Sequence, residues 1–370
     1  MSYVQDSDRH NLYLQRLASG LLRTQVFPTL EEAYKAARLI LLDAGEIRNL
    51  RQLNSVLRKV DASTVKITAA GLDEVTKELQ AIAIYEASYY AALVGGYSGA
   101  TLSVPGNKTI TDFINQSLMS LTSGERVTAG LWGDFIGNQI ASTGAIYNNA
   151  IKASFVNKES VSQAVTRMRQ ATQGLLRREY ETLTRTGLQH YAIQARRAMA
   201  DDNKDILETE FPLVTFDNRI SSTCMSISAR YPKGWPLNDS PIGYPPYHFN
   251  CRTSIIYLLK GQRTPSGTRS AVGGKDTETA AEAFDRRQDR TDKKVRYRGK
   301  RDSEIFDPGQ VSASKTIGGW LKEQPIWFQN STLGVKRAEA FRAGKLELKN
   351  IADIAGRPLT LDELGLIEGD

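Results

Sequence analysis

Apolar residues three or four positions apart run through the first two hundred residues, and this spacing constrains the fold more than any other feature. Such spacing places one side of each segment against a core, which is typical of an amphipathic α-helix. One segment opens near Leu72 and ends at Gly95-Gly96 after about six turns, and another runs from about Glu159 to Met199. Because helices of this length are typical of bundles, the sequence predicts a mainly α fold with an elongated helical body.

Shorter helices are predicted between and before these two. Thr29 is a candidate N-cap of a helix that ends at Gly45, and a short helix covers about residues 50–60. Gly, Ser and Pro residues between Tyr97 and Lys108 indicate a loop. The stretch from Ile110 to Gly144 is predicted to be helical.

The pattern changes at Phe211. Residues near 211–217 and 253–259 form short runs rich in β-branched and aromatic side chains, which predict two strands. A turn-rich segment with five prolines lies between them. We therefore expect a small β module, on the helical body, with a long Pro/Gly loop between its strands.

Residues 262–303 are rich in charged and small polar side chains and poor in large apolar ones. A segment of this composition cannot bury enough apolar surface to order itself, so it is predicted to be a linker or flexible extended arm. Beyond it, a compact α-rich piece is expected, with a helix over 336–343 and a last helix from Thr360. The predicted units are 1–108, 109–210, 211–261, 262–303 and 304–370.

Composition excludes several classes of protein. The chain has 370 residues, enough for a core that needs no disulfides, and only two cysteines, which indicates a reducing compartment. It has no run of about 18 apolar residues and begins with polar residues, so neither a membrane span nor a secretory signal is expected. The net charge of +7 suits an acidic partner without requiring one.

Both cysteines and one of the three histidines fall within a short stretch, where three interpretations compete. Cys224, His248 and Cys251 could bind a metal, with Asp217 as a fourth ligand, although Ile227 occupies the place where a CxxC pair needs cysteine. A Cys224–Cys251 disulfide is disfavoured by a reducing compartment. The third interpretation is structural.

In the structural interpretation, polar side chains form a hydrogen-bonded and ionic cluster that holds the long loop. Its predicted members are Asp217, Arg219, Cys224, His248, Asn250, Cys251 and Arg252. We favour this interpretation because free cysteines are mostly buried apolar residues. A Cys/His nucleophile would suit a hydrolase, but no phosphate loop, carboxylate pair or nucleophile elbow accompanies it. His10 and His190 are expected to be structural.

The long predicted helix from Glu159 carries a series of arginines. A charged series of this kind usually forms a solvated face, and the alternative is a surface near nucleic acid, because phosphates attract Arg and Lys. The series comprises Arg167, Arg169, Arg177, Arg178, Arg185, Arg196 and Arg197.

Two motifs resemble the phage Mu F-type minor head proteins, also called phage head morphogenesis proteins. They are Phe216-Asp217-Asn218-Arg219-Ile220-Ser221-Ser222-Thr223-Cys224 and Pro245-Pro246-Tyr247-His248-Phe249-Asn250-Cys251-Arg252. Leu183-Thr184-Arg185-Thr186-Gly187 and a tail that includes Gly356-Arg357-Pro358-Leu359-Thr360-Leu361 are also similar, the former without the family's acidic residue. The resemblance covers about residues 110–260 and 320–364.

The resemblance implies a structural virion protein and not an enzyme. Such proteins associate with the portal protein during head morphogenesis and lie at the portal vertex or inside the head, after assembly in the host cytoplasm. The major capsid protein or scaffold could be a further partner, and no membrane is involved. Some members carry four cysteines here, but Ile227 and Thr253 replace two of them in this chain. No cofactor is therefore expected, and a zinc ion is the alternative.

A role beside packaged double-stranded DNA is also implied. Phosphate neutralisation needs basic side chains but no base readout. The candidates in the predicted arm are Arg286, Arg287, Arg290, Lys293, Lys294, Arg296, Arg298, Lys300 and Arg301. The alternative function is a cysteine/histidine-dependent hydrolase or effector that is delivered with the phage genome.

Overall fold

A single long helix, α3 (Leu50–Ser98), is the element on which the other helices of the body pack. In this computed structural model, residues 2–277, 280–282 and 305–367 are described. The 49 residues of α3 give a length of about 73 Å at 1.5 Å per residue. Asn49 caps its start by accepting a hydrogen bond from the Gln52 amide, and Gly99 ends it in the left-handed conformation. The predicted mainly α fold class is confirmed.

The other helices of the body follow the predicted spacing. Two five-residue π-helical segments, Leu22–Val26 and Thr172–Leu176, join consecutive helices, so that each pair continues without a break. The body comprises α1 (Tyr3–Leu21), α2 (Phe27–Ala44), α4 (Asn107–Gln116), α5 (Trp132–Val156), α6 (Val161–Ala171) and α7 (Arg177–Asp201). No helix in the described ranges is long and apolar enough to cross a membrane.

Two boundaries in this body differ from the predicted ones. The helices predicted over 50–60 and from Leu72 are one helix, because nothing between them breaks it. Gly71 lies inside α3, and a Cβ atom there would come 2.3 Å from Thr29 Cγ2, so this glycine permits close packing of α2 on α3. Thr29 is therefore not an N-cap: it lies within α2, where its hydroxyl donates to the Gln25 carbonyl at 2.8 Å.

The stretch from Ile110 to Gly144 is not continuously helical. A β-hairpin interrupts it between α4 and α5, and its antiparallel strands are β1 (Met119–Ser123) and β2 (Arg126–Gly130). Gly124 adopts a positive φ of 59° at the turn, a conformation that glycine tolerates better than other residues. Burial in β1 alternates only from Met119 to Leu121, since Thr122 is buried as well, so the strand has too short an alternation to be predicted from the sequence.

The predicted β module contains a three-stranded antiparallel sheet in the order β4-β3-β5. Its strands are β3 (Leu207–Leu213), β4 (Trp235–Pro236) and β5 (Ser254–Leu259). β3 begins and ends four residues earlier than predicted, because Phe216 instead forms a bridge to Ala271. The segment predicted to be a turn-rich loop also contains a helix, α8 (Ser222–Arg230).

The start of the predicted arm is ordered, which corrects that assignment. Strand β6 (Thr268–Gly274) pairs antiparallel with β7 (Phe306–Ser312). Its order comes from neighbours and not from its own apolar content, since the Val272 amide donates to the Phe216 carbonyl and the Ser270 amide to Asp8. The remainder of the predicted arm, residues 283–304, lies outside the described residues.

The C-terminal piece is helical, as predicted. It comprises α9 (Ile317–Lys322), α10 (Ile326–Leu333) and α11 (Val335–Arg342), of which the last corresponds to the helix predicted over 336–343. The Trp320 ring stacks on Phe216 with centroids 5.1 Å apart, which joins this piece to the β module. The helix predicted from Thr360 is wrong: the chain forms turns there.

A buried polar cluster joins the body to the β module. Arg196 of α7 and Glu86 of α3 are both fully buried, and the Arg196 Nε donates to Glu86 Oε1 at 2.6 Å. Arg196 also donates to Ser254 of β5 and to Asn11 of α1, and its guanidinium lies 3.8 Å from the ring centroid of Tyr90. Arg196 is thus not part of a solvated basic face.

The carboxylate of Glu86 is charged in this environment. Burial would raise the pKa of Glu86, but the positive charge of Arg196 and a hydrogen bond from His10, at 2.6 Å, together lower that pKa below its usual value of 4.5. A buried carboxylate that has two such partners contributes little net stability, yet removal of any one of them is costly.

We expect Glu86→Ala to lower the free energy of unfolding by about 3–5 kcal/mol, because it leaves Arg196 buried without its anion. Glu31→Ala is the matched control: Glu31 pairs with Arg169, both about a third exposed, so about 0–1 kcal/mol is expected. Urea unfolding measures both.

The Glu86 contribution also has a defined pH dependence. Since the folded-state pKa of Glu86 is lowered, its stabilising effect is present above the unfolded-state value of about 4.5 and is lost as the pH falls through the folded-state pKa. The difference in unfolding free energy between the wild type and the Glu86 variant should therefore shrink in acid. Equal losses in the Glu86 and Glu31 variants at neutral pH would contradict this assignment.

Candidate functional site

The first of the two cysteines is positioned by the start of helix α8. Ser221 is the N-cap, and its Oγ accepts a hydrogen bond from the Cys224 amide at 3.1 Å. This places Cys224 in the first turn of α8, where it is 3% exposed. The serine of the first motif thus orients its cysteine.

The second cysteine is positioned by a tight turn that leads into β5. Asn250 has a φ of 57°, a left-handed conformation that asparagine tolerates better than most residues. Its amide donates to Thr186 Oγ1 of α7 at 3.1 Å, and the Cys251 amide donates to the His248 carbonyl, also at 3.1 Å. The turn is therefore fixed to the helical body, and it places Cys251 opposite Cys224.

Cys224, His248 and Cys251 form a compact triad. The Cys224 Sγ lies 3.2 Å from His248 Nε2 and 3.7 Å from Cys251 Sγ. The Nδ1 atom of His248 donates to the Phe249 carbonyl at 2.8 Å, which fixes the ring with its Nε2 towards the sulfur atoms. Both cysteines are free, so the disulfide interpretation does not describe this state.

The pKa values of the three groups are shifted, upwards for Cys224 and His248 and downwards for Cys251. The hydrogen bond with Cys251, together with burial, raises the pKa of Cys224 well above its usual value. Burial alone would also raise the pKa of Cys251, but the hydrogen bond from Cys224 and the charge of His248 lower it well below that value. For His248, the charge of Cys251 outweighs burial and raises the pKa. The contacts within the triad thus shift the pKa values of the two cysteines in opposite directions.

The triad also has the donor set of a zinc site. Two thiolates on tetrahedral zinc, at a Zn–S distance of about 2.3 Å, lie about 3.8 Å apart, close to the observed separation of 3.7 Å. Among the described residues, the triad is the group of potential ligands whose donor atoms lie within 4.8 Å of one another. Asp217, predicted as a fourth ligand, is not in this group, so three protein ligands would hold the ion.

Asp217 forms a different interaction. Its carboxylate, 5% exposed as a residue, accepts two parallel hydrogen bonds from Arg252, at 2.5 and 2.8 Å. The same carboxylate accepts a hydrogen bond from the Arg219 amide at 2.9 Å. The hydrogen bonds to Asp217 raise the pKa of Arg252. A bidentate pair of this kind joins the end of one motif to the end of the other.

Arg219, another predicted member of the cluster, has a different role. Within the described residues its guanidinium forms no hydrogen bond or ion pair, and the side chain is exposed and lines a cavity of about 280 Å³. Asn250, Cys251 and Arg252 line the same cavity, with Arg185 of α7. Sequence analysis placed Arg185 in the arginine series and in the motif from Leu183 to Gly187, and its position at this cavity could not be known without the fold.

The basic side chains predicted to lie near nucleic acid, Arg286 to Arg301, fall outside the described residues, so the structure does not place them. Comparison of the chain with protein-family models gave no match, and comparisons with curated proteins and with solved structures gave none either.

Asp217→Ala is expected to lower the free energy of unfolding by about 2–4 kcal/mol, because it leaves Arg252 without its carboxylate. The value lies towards the lower end of the range for buried pairs since the Arg252 side chain is 26% exposed. Arg219→Ala is the control, and we expect a change within about 0.5 kcal/mol. Urea unfolding of both variants measures the difference, and equal effects would argue against the pair as the clamp.

Zinc binding can be tested separately from folding. Since hydrogen bonds already satisfy the triad, chelator-treated protein should remain folded by circular dichroism. Added Zn²⁺ should then raise the melting temperature and release protons, because Cys224 must lose its proton to bind. Cys224→Ser and Cys251→Ser should abolish both effects, whereas Ser222→Ala on the same helix should not. Unfolding on chelation, or no response to zinc, would contradict this expectation.

Proposed function

We propose that this protein is a structural minor head protein of a bacteriophage, bound to the portal protein at the portal vertex and required for head morphogenesis. The observation that carries the proposal is the meeting of the two motifs that resemble this family. Residues 216–224 and 245–252 are separate in sequence, yet they form one site, in which Asp217 binds Arg252 and Cys224 contacts Cys251. That the two halves hold each other in place supports treating them as one motif, and it is on this motif that the proposal rests.

The architecture supports an assembly role. The helix α3 is about 73 Å long, and the body built on it presents long helical surfaces that suit contacts with several neighbouring subunits. The main polar groups of the triad are engaged with one another, and both cysteines are at most 5% exposed. The residues of the motif therefore have a structural explanation that needs no reaction. A role beside packaged DNA, with the basic residues between 286 and 301 as candidate contacts from the sequence, is part of the same proposal.

One observation favours the second candidate, a cysteine/histidine-dependent hydrolase or effector. Cys251 has a lowered pKa, belongs to the triad with His248 and lines the 280 Å³ cavity, as a nucleophile would. Against it, Cys251 is only 5% exposed, and the atom that orients His248 is the carbonyl of the adjacent Phe249, not a carboxylate. This weakness leaves the structural role as the better supported function.

The experiment is an analysis of purified virions. Mass spectrometry should find this protein in the particle at few copies, and cross-linking should connect it to the portal protein. The substitution Cys251→Ser keeps the shape of the side chain but removes its sulfur atom. It should leave the plaque titre of the phage within a few-fold of the wild type. Absence from virions would overturn the proposed function. A Cys251→Ser protein that enters virions normally but supports no plaques would instead favour the catalytic candidate.

A further inference from the structure

The cavity beside the triad is lined by three arginines that come from separate parts of the chain. Arg185 projects from α7, Arg219 from the loop after β3, and Arg252 from the turn before β5. No acidic side chain lines the cavity in the described part of the chain. Placing like charges around one cavity costs electrostatic free energy, and a bound anion offsets this cost.

The charges do not cancel within the protein. Arg252 is neutralised by Asp217, to which it donates two parallel hydrogen bonds. In the described structure, Arg185 and Arg219 have no hydrogen-bond or ion-pair partner, so the cavity has two uncompensated positive charges. Each guanidinium keeps its full set of N–H donors, which suit the oxygens of an anion.

The rest of the lining strengthens this arrangement. Leu14, Ala18 and Leu188 are buried and form an apolar part of the wall, which lowers the local dielectric and so strengthens any ion pair formed there. Two of the three amide side chains are already engaged: Gln189 donates to the Thr253 carbonyl at 2.6 Å and Asn250 to Thr182 Oγ1 at 3.3 Å. The groups left to bind a ligand are therefore the two free arginines and the Gln15 amide, of which only the arginines are charged.

From this geometry we infer that the cavity binds a phosphate group. A phosphate monoester carries about −1.5 to −2 charges at neutral pH and three acceptor oxygens, which match two free guanidinium groups better than the single charge of a carboxylate does. A cavity of about 280 Å³ is at the small end of ligand sites and suits a phosphate or a compact phosphate ester. The phosphate could belong to a small molecule or to the backbone of DNA.

The inference does not depend on a place in the virion. It assigns a role to the side chains of Arg185 and Arg219, neither of which contributes to the clamp between the motifs; Arg219 binds Asp217 only through its backbone amide. Because these side chains have no partner to lose, their removal should leave the fold intact, so binding and stability can be measured independently of each other.

Isothermal titration calorimetry of the full chain at low ionic strength is the test, with inorganic phosphate, adenosine monophosphate and a 20-base-pair duplex as separate ligands. We expect one phosphate site on the wild type and a loss of affinity of about tenfold or more in the double variant Arg185→Gln/Arg219→Gln. The control double variant Arg58→Gln/Arg178→Gln removes the same charge from exposed arginines outside the cavity, and its affinity should change less than twofold.

The ligands identify the source of the phosphate. Binding of inorganic phosphate or the nucleotide indicates a small molecule, and binding of the duplex alone, lost only in the cavity variant, indicates the DNA backbone. Either result supports the site. No saturable binding of any ligand, or equal loss in both double variants, overturns it. Identical melting curves of the two variants exclude misfolding as the cause of any loss.

Discussion

The buried guanidinium of Arg196 is the interaction on which the rest of the structure depends. It donates to Glu86 of α3, Ser254 of β5 and Asn11 of α1. A buried charge permits few arrangements, because each displaced partner leaves an unsatisfied polar group in a medium that cannot solvate it. Ser254 begins β5 two residues after Arg252, so the cluster fixes the strand that follows Cys251 and Arg252. The site is thus positioned by the core of the helical body and not by the loop that precedes it.

The elements that sequence analysis predicted well are those whose order comes from their own pattern. Helix α7 and strand β5 carry an apolar period or a β-rich run long enough to define them. The missed elements depend on partners distant in sequence. Strand β6 has little apolar content, and its hydrogen bonds come from β7 and Phe216. The hairpin within 110–144 was hidden by helical spacing on both sides. Gly71 was not predicted as a contact, because its close approach to Thr29 requires the packed pair of helices.

The same distinction applies to the site. Residue types and order in the two motifs indicated a polar cluster, and the structure does bring Asp217 to Arg252 and His248 to the cysteines. Sequence analysis could not allocate Asp217 between a metal and an arginine, because a bidentate guanidinium and a metal ion suit the same carboxylate. Nor could it separate Arg185 and Arg196, eleven positions apart in one arginine series. Arg185 borders a cavity, whereas Arg196 is fully buried. This difference depends on which elements pack against each side of α7.

The motif residues therefore fall into two physical classes. Asp217, Arg252, Asn250 and Cys224 each satisfy a partner within the fold, so their residue types follow from the need to bury and pair polar groups. The Arg219 side chain has no such partner among the described residues, although Arg219 lies between Asp217 and Arg252 in sequence. Another polar residue could replace it without cost to the fold. A solvated arginine needs no explanation when it is alone, but Arg219 shares a cavity with Arg185 and with an Arg252 held in place by Asp217. The clamp thus does more than close the loop: Asp217 holds the Arg252 guanidinium at a cavity that two unpaired arginines also line, and it is this arrangement from which we infer phosphate binding.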